Sequence, residues 1–455
     1  MSVQAQQYWE IPYGSFLGDN KPLGDEFAKL KEDIIATHGK DNIKRSWLQV
    51  TKLLKEENQT IAEKGSSIWP EIDFEELSNP AESKVEEIKQ RGLVVVRNIF
   101  SEDQAAKWLS SLDTYLKDNS EEIASFPPEN PWLFVAYFSP VQNEIRSHER
   151  SLKAQEFINK LWTGYSPENS SPFPLSYADS LRFRQPGGFS ATVRPHIDAG
   201  SLDRWADETY RHYYDQIFSG DVLSHDPYDL THRIGADSNK FPGIGQTTVF
   251  RAFQGWTSLS KSGGGFGKAS LAVFPSVRLA ISYVMLRPFF RQPENGSLDP
   301  EEWEFDESPT FPGSYKGQSQ QISPKTHPHL ELEKTLTLMP NINPGDAVFW
   351  HSDVIHAVDP IHEGPAPATV LYIPAVPLTK PNLLYLADQK KKLLNNGETP
   401  SDFTLYRTIK YDGKHKGYNG VSDITSTLGK QATGLSKLPG GEPIIQWANE
   451  QLGLA

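Results

Sequence analysis

Between residues 176 and 376 the apolar residues come in short runs separated by stretches rich in Gly, Pro, Asn and Ser. The runs cover 180–185, 190–197, 246–253, 269–274, 278–287, 335–341, 346–351 and 368–376. Lengths of this kind are too short for core helices and suit strands, and many short strands punctuated by turns predict a β-sandwich or barrel. With 23 Phe, 17 Tyr and 11 Trp among 455 residues there is ample side-chain volume for its core. The run at 278–287 is read as one of these strands.

Helical patterns flank this region. Phe27, Leu30, Ile34 and Ile35 recur at helical spacing, as do Trp47, Val50, Leu53 and Leu54, so residues 1–81 are expected to form a polar, mostly helical extension packed on the body. Residues 83–92 predict a helix closed by Gly92, Leu93–Phe100 a buried strand, and Ser101 the N-cap of a helix to about residue 118. Another helix is expected near 142–163. The main domain is accordingly placed at 82–376, with long insertions at 199–245 (helical at 201–219) and 290–334, and a helix-and-loop extension at 377–455. Insertions of that length are expected to act as lids.

Composition removes whole classes of chemistry. The chain has no cysteine, which excludes disulfides, thiolate metal sites and thiol nucleophiles. Any metal must be held through His, Asp, Glu or backbone oxygen. The net charge of −13, with Lys390-Lys391-Lys392 as the one dense basic cluster, speaks against nucleic-acid binding. Residues 1–20 have neither a basic start nor an apolar run, and no apolar stretch is long enough to span a bilayer, so no membrane association and a cytoplasmic location are expected.

Two segments carry the chemistry. In Thr192–Gly200, His196 and Asp198 stand two apart at the end of a strand, where both side chains point to one face. In Asn343–His356 a Pro-Gly-Asp turn feeds a buried strand and then a short loop bearing a further histidine. A jelly roll would bring such distant strands together. Two histidines and one carboxylate with open positions beside them suit iron(II) and dioxygen.

Residues 82–376 resemble the phytanoyl-CoA-dioxygenase-like branch of the iron(II)/2-oxoglutarate oxygenases, and more closely a bacterial and fungal family known as a domain of unknown function. The resemblance is carried by Glu87–Phe100, Tyr177–Arg184, Pro195–Trp205, Phe250–Trp256, Tyr283–Phe289 and Pro344–Pro360. It implies a mainly β fold with flanking helices (α+β), a cupin-like double-stranded β-helix. It also implies Fe(II) on His196, Asp198 and His356, with 2-oxoglutarate as co-substrate and dioxygen as oxidant. A small soluble organic molecule is the expected substrate, hydroxylation the expected outcome, and the oligomeric state stays open. His351 competes with His356 for the third position, but it belongs to the strand rather than to the loop after it.

The resemblance also predicts an Arg or Lys about ten residues beyond the distal histidine, to pair with the far carboxylate of 2-oxoglutarate. Between His356 and Lys380 there is neither. A buried carboxylate needs a cation, so Arg287, Arg251 and Arg184 are the candidate anchors, the first two ahead because their runs look buried. Arg194 shares a strand face with His196. The glycine-rich Ser262–Lys268 lacks phosphate-loop spacing and is read as a turn. His212, His225 and His232 fall in the first insertion, as do Trp205, Tyr210, Tyr213 and Tyr214, expected to pack there.

Overall fold

In a computed structural model, residues 23–127, 130–187, 194–243, 246–404 and 410–454 are described. The first 22 residues of the expected N-terminal extension, and residues 190–193 of the expected strand 190–197, lie outside them.

In chain order the strands are β1 (Glu71–Asp73), β2 (Leu93–Arg97), β3 (Ser125–Phe126), β4 (Leu133–Phe134), β5 (Ser170–Pro174) and β6 (Leu181–Arg184). There follow β7 (His196–Ile197), β8 (Phe253–Ser258), β9 (Leu271–Val273), β10 (Phe290–Arg291), β11 (Glu304–Phe305) and β12 (Gln320–Gln321). The last are β13 (Thr337–Leu338), β14 (Ala347–His351), β15 (His356–Val358), β16 (Ala368–Tyr372) and β17 (Pro377–Thr379). Eight of them form a major sheet in the order β1-β2-β14-β8-β16-β6-β4-β3, and five a minor sheet, β12-β7-β15-β9-β13. Two short ribbons, β10-β11 and β17-β5, complete a mixed α+β fold whose sheets do not close into a barrel among the described residues.

The local chemistry explains most element ends. Helix Glu82–Arg91 stops at Gly92, whose φ of 72° is left-handed and whose N–H bonds back to the Ile88 carbonyl. A side chain at Gly92 would also collide with Val277 and Val354. The Ser101 hydroxyl accepts the Gln104 N–H and starts helix Glu102–Asp118. β2, with Leu93 and Val94–Val96 fully buried, is a central strand held between β1 and β14.

The expected N-terminal stripes face the core. Helix Lys40–Lys64 buries Ile43, Trp47, Val50, Leu54 and Ile61 along one side. Trp47 is fully buried, stacked on Phe290 at 4.4 Å and on Tyr283 at 5.5 Å. A buried indole of this kind contributes on the order of 3–5 kcal/mol. At the other end, Leu383 and Leu386 of helix Lys380–Leu394 pack with Ile444, Ile445 and Ala448 of helix Pro443–Gln451.

Two strand expectations are corrected. Residues 278–287 lie in helix Val277–Leu286 and the 3-10 turn that follows it. Eight of that helix's ten residues are buried, so its apolar character runs all round and carries no helical stripe to read. The strand expected at 246–253 begins only at Phe253. Arg287 and Arg251 are therefore not strand residues. The helix expected near 142–163 is two helices, Pro140–Arg146 and Glu149–Asn159, separated at Ser147-His148.

Candidate metal centre

β7 and β15 are neighbours in the minor sheet, and His196 is the direct cross-strand partner of His356. Side chains directly opposite on paired strands project to the same face, and the two imidazoles meet with ring centroids 4.2 Å apart. Asp198, two residues on from His196, completes the group. Its Oδ1 is 3.4 Å from His196 Nε2 and its Oδ2 is 3.4 Å from His356 Nε2. One ligand atom from each of the three lies within 4.8 Å of the others.

The second nitrogen of each ring settles how it is presented. His196 Nδ1 lies 2.6 Å from the Arg194 carbonyl and His356 Nδ1 lies 3.0 Å from the Val354 carbonyl. A carbonyl only accepts, so each Nδ1 carries a proton and each Nε2 faces inward, the arrangement a metal-binding imidazole needs. Ser319 donates to Asp198 Oδ1 at 2.8 Å. Burial pushes the Asp198 carboxyl up, but the two histidines outweigh it and hold the group well below the usual carboxylate range. The side chains of His196, Asp198 and His356 are 13%, 19% and 5% exposed, so the cluster is largely shielded from solvent. Two imidazoles presenting Nε2 inward and one ionised carboxylate fit a divalent first-row metal with remaining positions open.

His351 is committed elsewhere. It stacks on Trp162 at 4.9 Å, its Nδ1 accepts the Asp353 N–H, and its Nε2 donates to the Pro227 carbonyl. Among the insertion histidines, His212 bonds Asp215, and His225 is buried against Tyr213 and Tyr214. The Gly-rich turn binds a carboxylate of its own chain: Gly267 and Lys268 N–H groups both donate to Asp359 Oδ2.

The three anchor candidates occupy different places. Arg287 ends a helix, donates to the Thr326 and Phe290 carbonyls and lies over the Trp303 ring. Arg251 precedes β8, in the field of the buried carboxyl groups Asp179 and Asp402. Arg184 is on β6 as expected, donating to the Asp359 and Pro360 carbonyls.

The sequence pattern does not single out a fourth arginine, Arg182. In the major sheet Trp350 pairs with Gln254, Trp256 with Tyr372, and Val370 with Arg182. Alternation puts Arg182, Tyr372, Trp256, Gln254 and Trp350 on one face. Trp350 lies 5.2 Å from His356, so this face looks toward the three candidate ligands. Arg182 interacts with Tyr372 and lies over Trp132. Its buried Nε has no partner among the described residues, nor have Gln254 Nε2 and Trp350 Nε1. Asp359, the carboxylate that bears on Arg182, already accepts the backbone N–H groups of Gly267, Lys268 and Ile361. Burial lowers the Arg182 pKa from its ordinary value. Three buried donors on one face suit an acceptor-rich ligand, such as a carboxylate.

Comparison with known proteins bears on the whole chain. It is 30% identical to the Escherichia coli K12 protein YbiU over 390 residues, covering 82% of this chain and 86% of that one. The crystal structure of the GlcNAc Inducible Gene 2 product of Candida albicans superposes with a TM-score of 0.84 at 28% identity, covering 96% of each chain. A Salmonella typhimurium LT2 protein, provisionally described as an oxidoreductase, gives 0.76 at 29% identity over 92% of this chain and 99% of that one. The family match runs from residue 21 to residue 435, and the chain belongs to the Gig2-like family.

Proposed function

We propose that the protein is an iron(II)- and 2-oxoglutarate-dependent oxygenase acting on a small soluble organic molecule, built on a double-stranded β-helix of the jelly-roll type. The observation that carries this reading is the convergence of His196 Nε2, His356 Nε2 and the Asp198 carboxylate, with both Nδ1 atoms tied to carbonyls. The provisional oxidoreductase description of the Salmonella relative points the same way. No described helix is long and apolar enough to cross a membrane. A soluble substrate, a cytoplasmic location and the lack of a nucleic-acid partner remain parts of the proposal.

The two histidines and Asp198 would hold the iron on one side, leaving the other positions to co-substrate and dioxygen. Iron(II) with 2-oxoglutarate and dioxygen supplies the oxidising power for hydroxylating a C–H bond, with succinate and carbon dioxide as co-products. The chain's own part is positioning. Ser319 fixes one Asp198 oxygen, and Trp350 and Trp256 wall the interior from water. Arg182, with Tyr372 beside it, is our candidate for the far carboxylate of 2-oxoglutarate, ahead of Arg287 and Arg184, whose guanidinium groups already donate to backbone carbonyls, and of Arg251, which faces Asp179 and Asp402.

A second reading, a cupin-like metalloenzyme without 2-oxoglutarate, is favoured by the lack of any Arg or Lys between His356 and Lys380. One experiment separates the two. Purified protein with iron(II), ascorbate and 2-oxoglutarate is expected to form succinate, and His196→Ala and Asp198→Ala are expected to abolish it. Metal binding without succinate formation would favour the second reading, and turnover unchanged in both variants would refute the site.

A further inference from the structure

The backbone directly after the metal-binding pair is unusual. Ala199 has φ 60° and Gly200 φ 94°, two successive left-handed residues, the first carrying a side chain that disfavours that region. Such a turn persists only when its surroundings over-determine it. Here three consecutive carbonyls are each held by a buried side chain of the insertion. Arg204 donates to the Asp198 carbonyl at 2.6 Å and also to the Gly200 carbonyl, and the Tyr210 hydroxyl donates to the Ala199 carbonyl at 2.8 Å. The Gly200 N–H is held by Gln246.

Arg204 reaches the other ligand segment as well. Its Nη2 is 3.2 Å from Asp353 Oδ1, in the loop between β14 and β15 that delivers His356, and both side chains are 0% exposed. The Tyr214 hydroxyl takes the second Asp353 oxygen at 3.1 Å, and His351 accepts the Asp353 N–H. One guanidinium thus ties the turn after Asp198 to the loop before His356. Trp205, Tyr210, Tyr213 and Tyr214 around it are buried, so one side of residues 203–214 is packed into the core while Glu208 and His212 face out.

We infer that Arg204, braced by Asp353 and Tyr210, is a positioning residue that sets the spacing of the metal ligands. The first part of the 199–245 insertion thereby tunes metal affinity. This rests on the metal reading above. A buried pair that links two ligand segments restricts how far they can move apart when no ion is present, so loosening it weakens binding by the margin typical of outer-shell partners, ~10–100-fold.

The test is Co(II) binding to the full chain, followed by its visible d–d absorption, alongside thermal unfolding of the metal-free protein. Arg204→Lys, Asp353→Asn and Tyr210→Phe are expected to weaken Co(II) binding, the first two by ~10-fold or more, and to shift the d–d spectrum. Asp346→Asn, which breaks an ion pair with Arg97 at the far end of β14, serves as the control. It is expected to lower thermal stability and leave the Co(II) affinity unchanged. If Arg204→Lys does not fold, Asp353→Asn and Tyr210→Phe decide, since each removes only a charge or a hydroxyl. Affinity and spectrum equal to wild type in those two would overturn the brace. Failure of the wild type itself to bind Co(II) would instead overturn the metal reading and the brace with it.

Discussion

Replacing Arg182 by methionine tests whether that side chain serves the fold or a ligand, because the two roles predict opposite signs. In the ligand-free protein Arg182 is half-buried, its buried Nε lacks a partner among the described residues, and the carboxylate bearing on it already accepts three backbone N–H groups. Methionine would forfeit the contact with Trp132, about 0.5–1 kcal/mol, and the interaction with Tyr372, about 1 kcal/mol. It would also remove a half-buried charge whose desolvation offsets those losses. The ligand-free variant should therefore melt at the wild-type temperature or above it. A carboxylate bound to that arginine would lose charge-assisted hydrogen bonds worth about 1.5–3 kcal/mol, a drop in affinity of roughly 10- to 150-fold. The assay is anaerobic titration of the iron(II)-loaded protein with 2-oxoglutarate, read by the visible charge-transfer band, with thermal unfolding of the same preparations. Arg182→Lys, which keeps the charge but not the fork, should fall between. A 2-oxoglutarate affinity unchanged in Arg182→Met, together with a lower melting temperature, would refute the reasoning and make Arg182 a structural residue.

Two further substitutions probe the neighbourhood. His351→Gln is expected to cost about 1–3 kcal/mol in urea unfolding through its lost stack and hydrogen bonds, with metal content by elemental analysis unchanged. His356→Gln should do the reverse, and equal metal loss in both would reopen the third ligand. Asp412 accepts the Tyr137 and Phe138 N–H groups, and burial pushes its carboxyl up to about 6 from 3.8. A raised folded-state pKa means the folded protein holds the proton more tightly. The group's contribution is thus present below pH ~4 and lost as pH rises through about 6. Asp412→Asn, neutral throughout, should match wild type near pH 4 and exceed it by up to about 3 kcal/mol at pH 7. A difference that does not vary with pH would show that ionisation is not the cause.

What the sequence disclosed depended on whether the signal was local. The Gly92 stop, the Ser101 cap, β14 and the two-residue spacing of His196 and Asp198 are each dictated within a few residues of chain, and each appears where expected. Residues 278–287 failed because a fully buried helix and a fully buried strand share one composition, and Trp47, which stacks on Tyr283, is more than two hundred residues away. The lid expected of the first insertion rests on its length. Length says nothing of whether Trp205 and Tyr214 find partners, and both do.

The missing anchor shows the limit most clearly. A search along the chain for a cation beyond His356 runs into β16, where every position through Tyr372 is uncharged. The sheet sets β6 beside β16 with Arg182 directly across from Val370, so a cation is supplied to the same wall from a strand nearly two hundred residues earlier. The run 180–185 offers Arg184 as a candidate, and alternation gives Arg182 the same face, so spacing alone has no means of choosing between them. Their partners make the difference. The Arg184 guanidinium is engaged by the carbonyls of Asp359 and Pro360 just beyond β15, while Arg182 keeps a buried donor with no partner among the described residues. A cation in the first role holds the backbone near a ligand strand in place, and one in the second can meet an incoming carboxylate. Only the three-dimensional arrangement of acceptors distinguishes them.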